Sequence, residues 1–201
     1  QELQPILDNR QQWIEQTQAR VMGERRSLAH ETTVARPDEI ILRAVDQVWS
    51  VEYQPTETDF VELVSRPHNH LVFTGQVQRI ELCQDLLGQW VRHHAKQNLS
   101  PWLRQVSHEI NLPFQKVIVR RQKTRSASCS SQHHININDR LLFLPPHLVR
   151  YVFIHELCHT IHLNHSRAFW ALVAQHEPNY DQYDGEIRTA WKYVPQWLES
   201  G

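Results

Sequence analysis

The sequence predicts an α+β fold, a small antiparallel or mixed sheet with flanking helices. Two observations lead there. Short runs rich in β-branched and aromatic residues, bounded by turn-forming residues, gather in the first two thirds of the chain, and the longest apolar-faced helical pattern follows them. No internal repeat or low-complexity tract interrupts this order, which excludes a repeat architecture.

Taken in order, Trp13, Ile14, Val21 and Met22 recur at roughly helical spacing, and Asp8 or Asn9 stands where a cap is needed for a helix over residues 11–26. After Pro37, the run EIILRAVDQVWSVEYQ alternates at Trp49, Val51 and Tyr53, with Asp46-Gln47 as turn, and reads as a hairpin. FVELV (Phe60 to Val64) and HLVFTG (His70 to Gly75) flank the turn-prone SRPHN and form a second. From Gln76 to Gln97, Ile80, Leu82, Cys83, Leu86, Leu87, Trp90 and Val91 follow a helical pattern. Ser100-Pro101 then opens a further helix to about Ile110, and Pro113 closes it. QKVIVR and HININ supply two more strands across the polar loop KTRSASCSSQ. Pro145-Pro146 starts a helix expected to reach about Leu163. Asn164 suits a left-handed stop, Ser166 caps a last helix through about Gln175, and Pro178 follows it.

Composition narrows the function classes. Lys and Arg total 21 against 22 Asp and Glu, a formal net charge of -1, so bulk charge selects no partner and a strong nucleic-acid binder would look more basic. With 201 residues, 40% of them hydrophobic, the chain can bury one sizeable core. Two segments are expected within one compact unit: residues 1–110, a helix, hairpins and helices of unassigned role, and residues 111–201, carrying the chemistry. No apolar run approaches the roughly 18 residues of a spanning helix, and the start lacks a signal-peptide layout, so no membrane partner is expected. Cys83, Cys129 and Cys158 are an odd number without close pairing, which fits a reducing compartment, the cytoplasm.

The chemistry lies in His155-Glu156-Leu157-Cys158-His159, inside the apolar-faced helix. Residues four apart on a helix lie one turn along and about 40° round, so both imidazoles can reach one ion at roughly 2.0–2.1 Å. Glu156 projects about 100° from His155, beside the ion without having to bind it, where a carboxylate can take a proton from water activated on the metal. A catalytic zinc site uses three protein ligands and leaves a position open, so a third ligand is required. His162 shares the helix face but lies about 10.5 Å along the axis from His155, which would put three ligands in a row. His165 lies just past the break expected at Asn164, where the chain can approach from another direction, and is preferred. Glu177 is the alternative.

The spacing HExxHxxxxxH is shared with metzincins, but these carry a glycine where His162 stands and a methionine turn downstream, and the sole methionine here is Met22. The segment HELCHTIHLNHSRAFW, from His155 to Trp170, instead resembles the YgjP-like metallopeptidase family, relatives of the SprT and Spartan proteases, whose signature reads HELxHxxxxNHSxxFW. Upstream, RSASCSS (Arg125 to Ser131), the INI strand and LPPHLVRYVFI look like further segments of that family, although Ser126-Ala127 stands where it usually has Trp-Gly. The likeness covers about 65 residues. It implies a zincin-type active-site helix, one zinc ion (Zn2+) per chain on His155, His159 and His165, Glu156 as general base, and a polypeptide substrate held by β-addition along a strand preceding that helix, near Ile135 to Asn138.

Plainer readings stand beside these. Cys158 suits a small buried residue and Cys129 a structural turn. His93-His94 and His133-His134 read better as solvent-facing pairs than as a second metal site. The basic run Arg120-Arg121-Gln-Lys123-Thr-Arg125 suits a solvated strand end better than a DNA contact, and Phe169 and Trp170 suit packing of the last helix against the metal helix. The competing functional class is a zinc-stabilised binding or chaperone-like module without turnover, which would have no need of Glu156.

Overall fold

The computed structural model describes residues 35–122 and 125–198. The helix expected over residues 11–26 lies outside the described residues. The architecture is α+β, with its strands divided between two mixed sheets.

The first sheet holds β1 (Glu39–Leu42), β2 (Gln47–Pro55), β3 (Val61–Arg66) and β4 (His70–Gly75), in the order β1-β2-β4-β3. Both expected hairpins are present. β1 and β2 pair antiparallel through a short 3-10 turn at Arg43–Val45 that ends on left-handed Asp46, φ 52°. β3 and β4 pair antiparallel around His68 and Asn69, both at positive φ. Trp49 and Val51 point into the core as the alternation predicts. The pattern does not disclose that β2 and β4 run parallel and join the hairpins into one sheet.

Helix α1 (Ile80–Glu109) is continuous, with Pro101 inside it, where two helices were expected. Proline at 101 removes one backbone hydrogen bond. Its apolar stripe nevertheless runs unbroken through Leu87, Val91, Ala95, Leu99, Leu103 and Val106, all fully buried, and tertiary packing outweighs the local break. The neighbouring His94 is half-buried rather than solvent-facing: its ring stacks on Trp90 at 5.0 Å and its Nε2 lies 2.9 Å from the Gln47 side-chain oxygen.

The second sheet orders β5 (Lys116–Arg120), β7 (His134–Asn138) and β6 (Ala127–Cys129) as β5-β7-β6, with β5 parallel and β6 antiparallel to β7. Two expectations are corrected here. The polar loop contains a strand, because Ala127 is small enough to bury against the helix that follows. The HININ segment is consequently the central strand, with both edges paired, so among the described residues the unpaired edge near that helix belongs to β6. Arg121 also departs from a solvated strand end: 14% exposed, it donates to the fully buried Asp139 at 3.0 Å and to the Gly88 carbonyl at 3.1 Å. His133 and His134 are half-buried, and no second metal-binding group of His, Cys, Asp or Glu occurs among the described residues.

At the end of β7, Asn138 is fully buried and its amide donates to the carbonyls of Gln122 and Arg125 at 2.9 and 2.8 Å, while its oxygen accepts from the Arg140 backbone at 3.2 Å. One side chain thus ties the chain before β6 to the sheet. Asn138→Ala is expected to cost about 3 kcal/mol by urea unfolding, since the fully buried side chain loses three hydrogen bonds to the backbone at ~1 kcal/mol each. Asn138→Asp, which sets an acceptor against two carbonyl oxygens, is expected to cost more.

Helix α2 (Pro146–Cys158) is the centre of the molecule; Leu148, Val149, Val152, Phe153, Ile154 and Leu157 are buried around its circumference. It packs against α1, α3 (Arg167–His176) and α4 (Tyr180–Ile187). It stops at Cys158 and not near Leu163. The amides of Thr160 and Ile161 turn back in i→i+3 fashion to Leu157 and Cys158, and Asn164 has no positive φ, so the expected left-handed stop is absent. Ser166 caps α3 as expected, accepting from the Phe169 amide at 3.3 Å. Buried apolar residues of both sheets and α1–α3 form one contiguous core.

Candidate metal centre

His155 lies in the last turn of α2, His159 is its C-cap, and His165 returns on the bend before α3. The Nε2 of His165 lies 3.0 Å from that of His155 and 3.2 Å from that of His159. Tetrahedral coordination at 2.0–2.1 Å separates ligand nitrogens by roughly 3.3 Å, so the spacing suits one small divalent ion. His159 also donates its Nδ1–H to the His162 carbonyl at 2.9 Å, which leaves its Nε2 lone pair directed at the cluster. Such convergent lone pairs repel unless a cation lies between them, and the donor set therefore fits a metal.

The electrostatics favour neutral rings. Burial first, then the neighbouring His159 and His165, push His155 down to about 4, with Asp184 opposing. Burial likewise lowers His159, against the hydrogen bond to His162. Aromatic rings from α3 hold the cluster from behind. Phe169, fully buried, stacks on His159 with centroids 4.4 Å apart, and Trp170 stacks on His165 at 5.7 Å. The packing expected of this pair is thus made directly on the imidazoles.

Glu156 is 7% exposed and its Oε2 is buried without a hydrogen-bond partner among the described residues. Burial pushes its carboxyl up to about 8, against a backbone hydrogen bond from Cys129 on β6 and the Arg125 charge. An orphaned buried carboxylate oxygen beside three metal-type donors is a costly arrangement with a chemical use. The other sequence candidates stand apart from the cluster. His162 contributes its carbonyl, and Glu177 caps α3, its carboxylate accepting from the Asn179 amide at 3.3 Å. Cys158 is buried and Cys129 half-buried on β6.

Sequence reasoning did not find Asp184 on α4, whose carboxylate accepts from the Tyr151 hydroxyl at 2.9 Å; Tyr151 lies one turn before His155, its ring 6.0 Å from that imidazole. Position four before a candidate ligand was the available signal for Tyr151. Asp184 carried none, because α4 has no motif and just partly buried residues.

An α+β chain whose central helix ends in His-Glu-x-x-His, with a third imidazole returned by the next bend, belongs by fold and site among the metal-dependent hydrolases. The particular family follows from its sequence model: the YgjP-like, metallopeptidase domain matches residues 1–190, and the chain belongs to this family of metallopeptidases, which work with a metal ion. The match extends well beyond the 65 residues bearing the motifs. Among solved structures, the metallopeptidase zymogen abylysin of Pyrococcus abyssi is similar at 22% identity and TM-score 0.43, over 48% of this chain and 98% of that one. The metallopeptidase zymogen jannalysin of Methanocaldococcus jannaschii is similar at 17% identity and TM-score 0.41, over 46% and 95%. No curated protein matches the chain.

Proposed function

We propose that this chain is a zinc-dependent peptidase that binds one Zn2+ through His155, His159 and His165 and uses Glu156 as general base. The observation that carries the reading is the three Nε2 atoms at 3.0 and 3.2 Å spacing next to a buried carboxylate oxygen with no other partner. When bound, such an ion polarises the scissile carbonyl and acidifies a water. Glu156 takes up the water proton at Oε2 and returns it to the leaving amine. A backbone hydrogen bond from Cys129 on β6 holds the carboxylate, and its Oε2 has no partner among the described residues.

The substrate is an extended polypeptide. Among the described residues the outer edge of β6, whose Cys129 amide bonds Glu156, carries no further strand, and backbone pairing along it would hold the chain to be cut across the metal. No described helix is long and apolar enough to cross a membrane. Three free cysteines support a reducing, cytoplasmic setting. A DNA-bound role is not favoured, since Arg121 of the basic run is already neutralised by Asp139.

Metal analysis of the purified protein tests the proposal. The expected result is one zinc per chain, cleavage of an unfolded protein substrate lost on chelation, and recovery with one equivalent of Zn2+. Cleavage that persists in protein stripped of metal would sink it.

A further inference from the structure

Beside the metal helix lies a cavity of about 230 Å³, between the β6 edge, α2 and α4. At ~30 Å³ per water it has room for about seven, enough for one substrate side chain. Tyr151, Val152 and Ile187 supply apolar wall, and His155 and Glu156 place the reacting atoms at one side of it.

The charges on its lining are unequal in use. The Asp184 carboxylate is engaged on both oxygens, by the Tyr151 hydroxyl at 2.9 Å and the Arg188 guanidinium at 2.7 Å. Glu156 takes the backbone hydrogen bond of Cys129 on β6, and its Oε2 has no hydrogen-bond partner among the described residues. Arg125, exposed, lines the same cavity; its charge acts on Glu156, but among the described residues its guanidinium has neither an ion pair nor a hydrogen bond. Its backbone, by contrast, is fixed: the Arg125 carbonyl accepts from the fully buried Asn138 at 2.8 Å, two residues before β6 begins. A strand paired on β6 would therefore pass a cation with an anchored backbone, unpaired among the described residues, next to the scissile bond.

Resting on the peptidase reading above, we propose that this cavity binds a substrate carboxylate and that Arg125 selects it: the preferred bond is flanked by Asp or Glu, or lies one residue from a free C-terminus. A guanidinium engages either group in the same forked geometry. Lysine or arginine substrates would meet Arg125 as a like charge.

A peptide library digested by the zinc-loaded protein, with cleavage sites mapped by mass spectrometry, tests this. The expected pattern is enrichment of Asp and Glu within one residue of the cut and depletion of Lys and Arg, collapsing in Arg125→Gln and inverting in Arg125→Glu. Matched peptides with Glu or Gln beside the bond should differ about tenfold in kcat/KM, and capping the C-terminus as an amide distinguishes a terminal from a side-chain carboxylate. Binding of the same peptides, by fluorescence anisotropy, to wild type and Arg125→Gln reads the preference without turnover. Equal handling of Glu and Gln peptides by wild type, or an unchanged preference in Arg125→Gln, would overturn the proposal. Failure to cut any peptide, with an Arg125-dependent binding preference intact, would count against the peptidase reading and leave this one standing.

Discussion

Replacing Glu156 by Gln is expected to lower kcat/KM by roughly 10²–10⁴-fold while the protein still carries its full zinc content. The amide fills the volume of the carboxylate, so His155 and His159 keep their positions on α2, and the ligand set is untouched. What disappears is the acceptor for the water proton. Stability should not fall, because a carboxylate held at 7% exposure is costly to bury and the neutral amide is less so. Three measurements on one variant therefore separate the causes: zinc per chain by elemental analysis, urea unfolding, and turnover of a peptide. A variant that keeps zinc and fold but also keeps wild-type turnover would remove Glu156 from the chemistry and favour a non-catalytic role for the ion. Loss of zinc together with turnover would instead make Glu156 part of the binding site.

The parts of this structure legible in the sequence are those set by short-range pattern. Alternation at Trp49, Val51 and Tyr53, turn residues at Asn69, and the 1,5 spacing of His155 and His159 each follow from local geometry and need no knowledge of distant partners. Local signals misled where packing overrode them. Pro101 is a fair helix start, yet Leu99 and Leu103 are both fully buried and the core holds the helix through it. The stop at Cys158 was missed because Ile161 and Leu163 continue an apolar pattern although both are more than half exposed. That early stop lets the His162 carbonyl meet the His159 ring. Parallel pairing of β2 with β4 and of β5 with β7 is long-range and leaves no trace in either strand's own residues. Asp184 was invisible for the same reason: its role comes from α4 lying against Tyr151.

Removing the third imidazole should be the most damaging change to the metal itself. His165→Ala is expected to weaken zinc binding by at least about a hundredfold, the upper range for loss of an outer-shell partner and hence a lower bound for a ligand. The reasoning is geometric. His155 and His159 come from successive turns of one helix and leave a two-coordinate site open on the side that His165 closes from the next bend, its Nε2 within 3.2 Å of both others. Nothing else among the described residues can substitute: His162 presents its carbonyl to His159, and Glu177 is turned to the Asn179 amide. Glu177→Ala should accordingly retain zinc, which makes the two variants a paired test of the ligand choice. Competition against a chromogenic chelator gives both affinities in one titration. His165→Ala should also keep its fold, because that residue is exposed and Phe169 and Trp170 remain packed on α2. If His165→Ala bound zinc as tightly as wild type and Glu177→Ala did not, the bend would carry no ligand and the centre would have to be redrawn around the carboxylate.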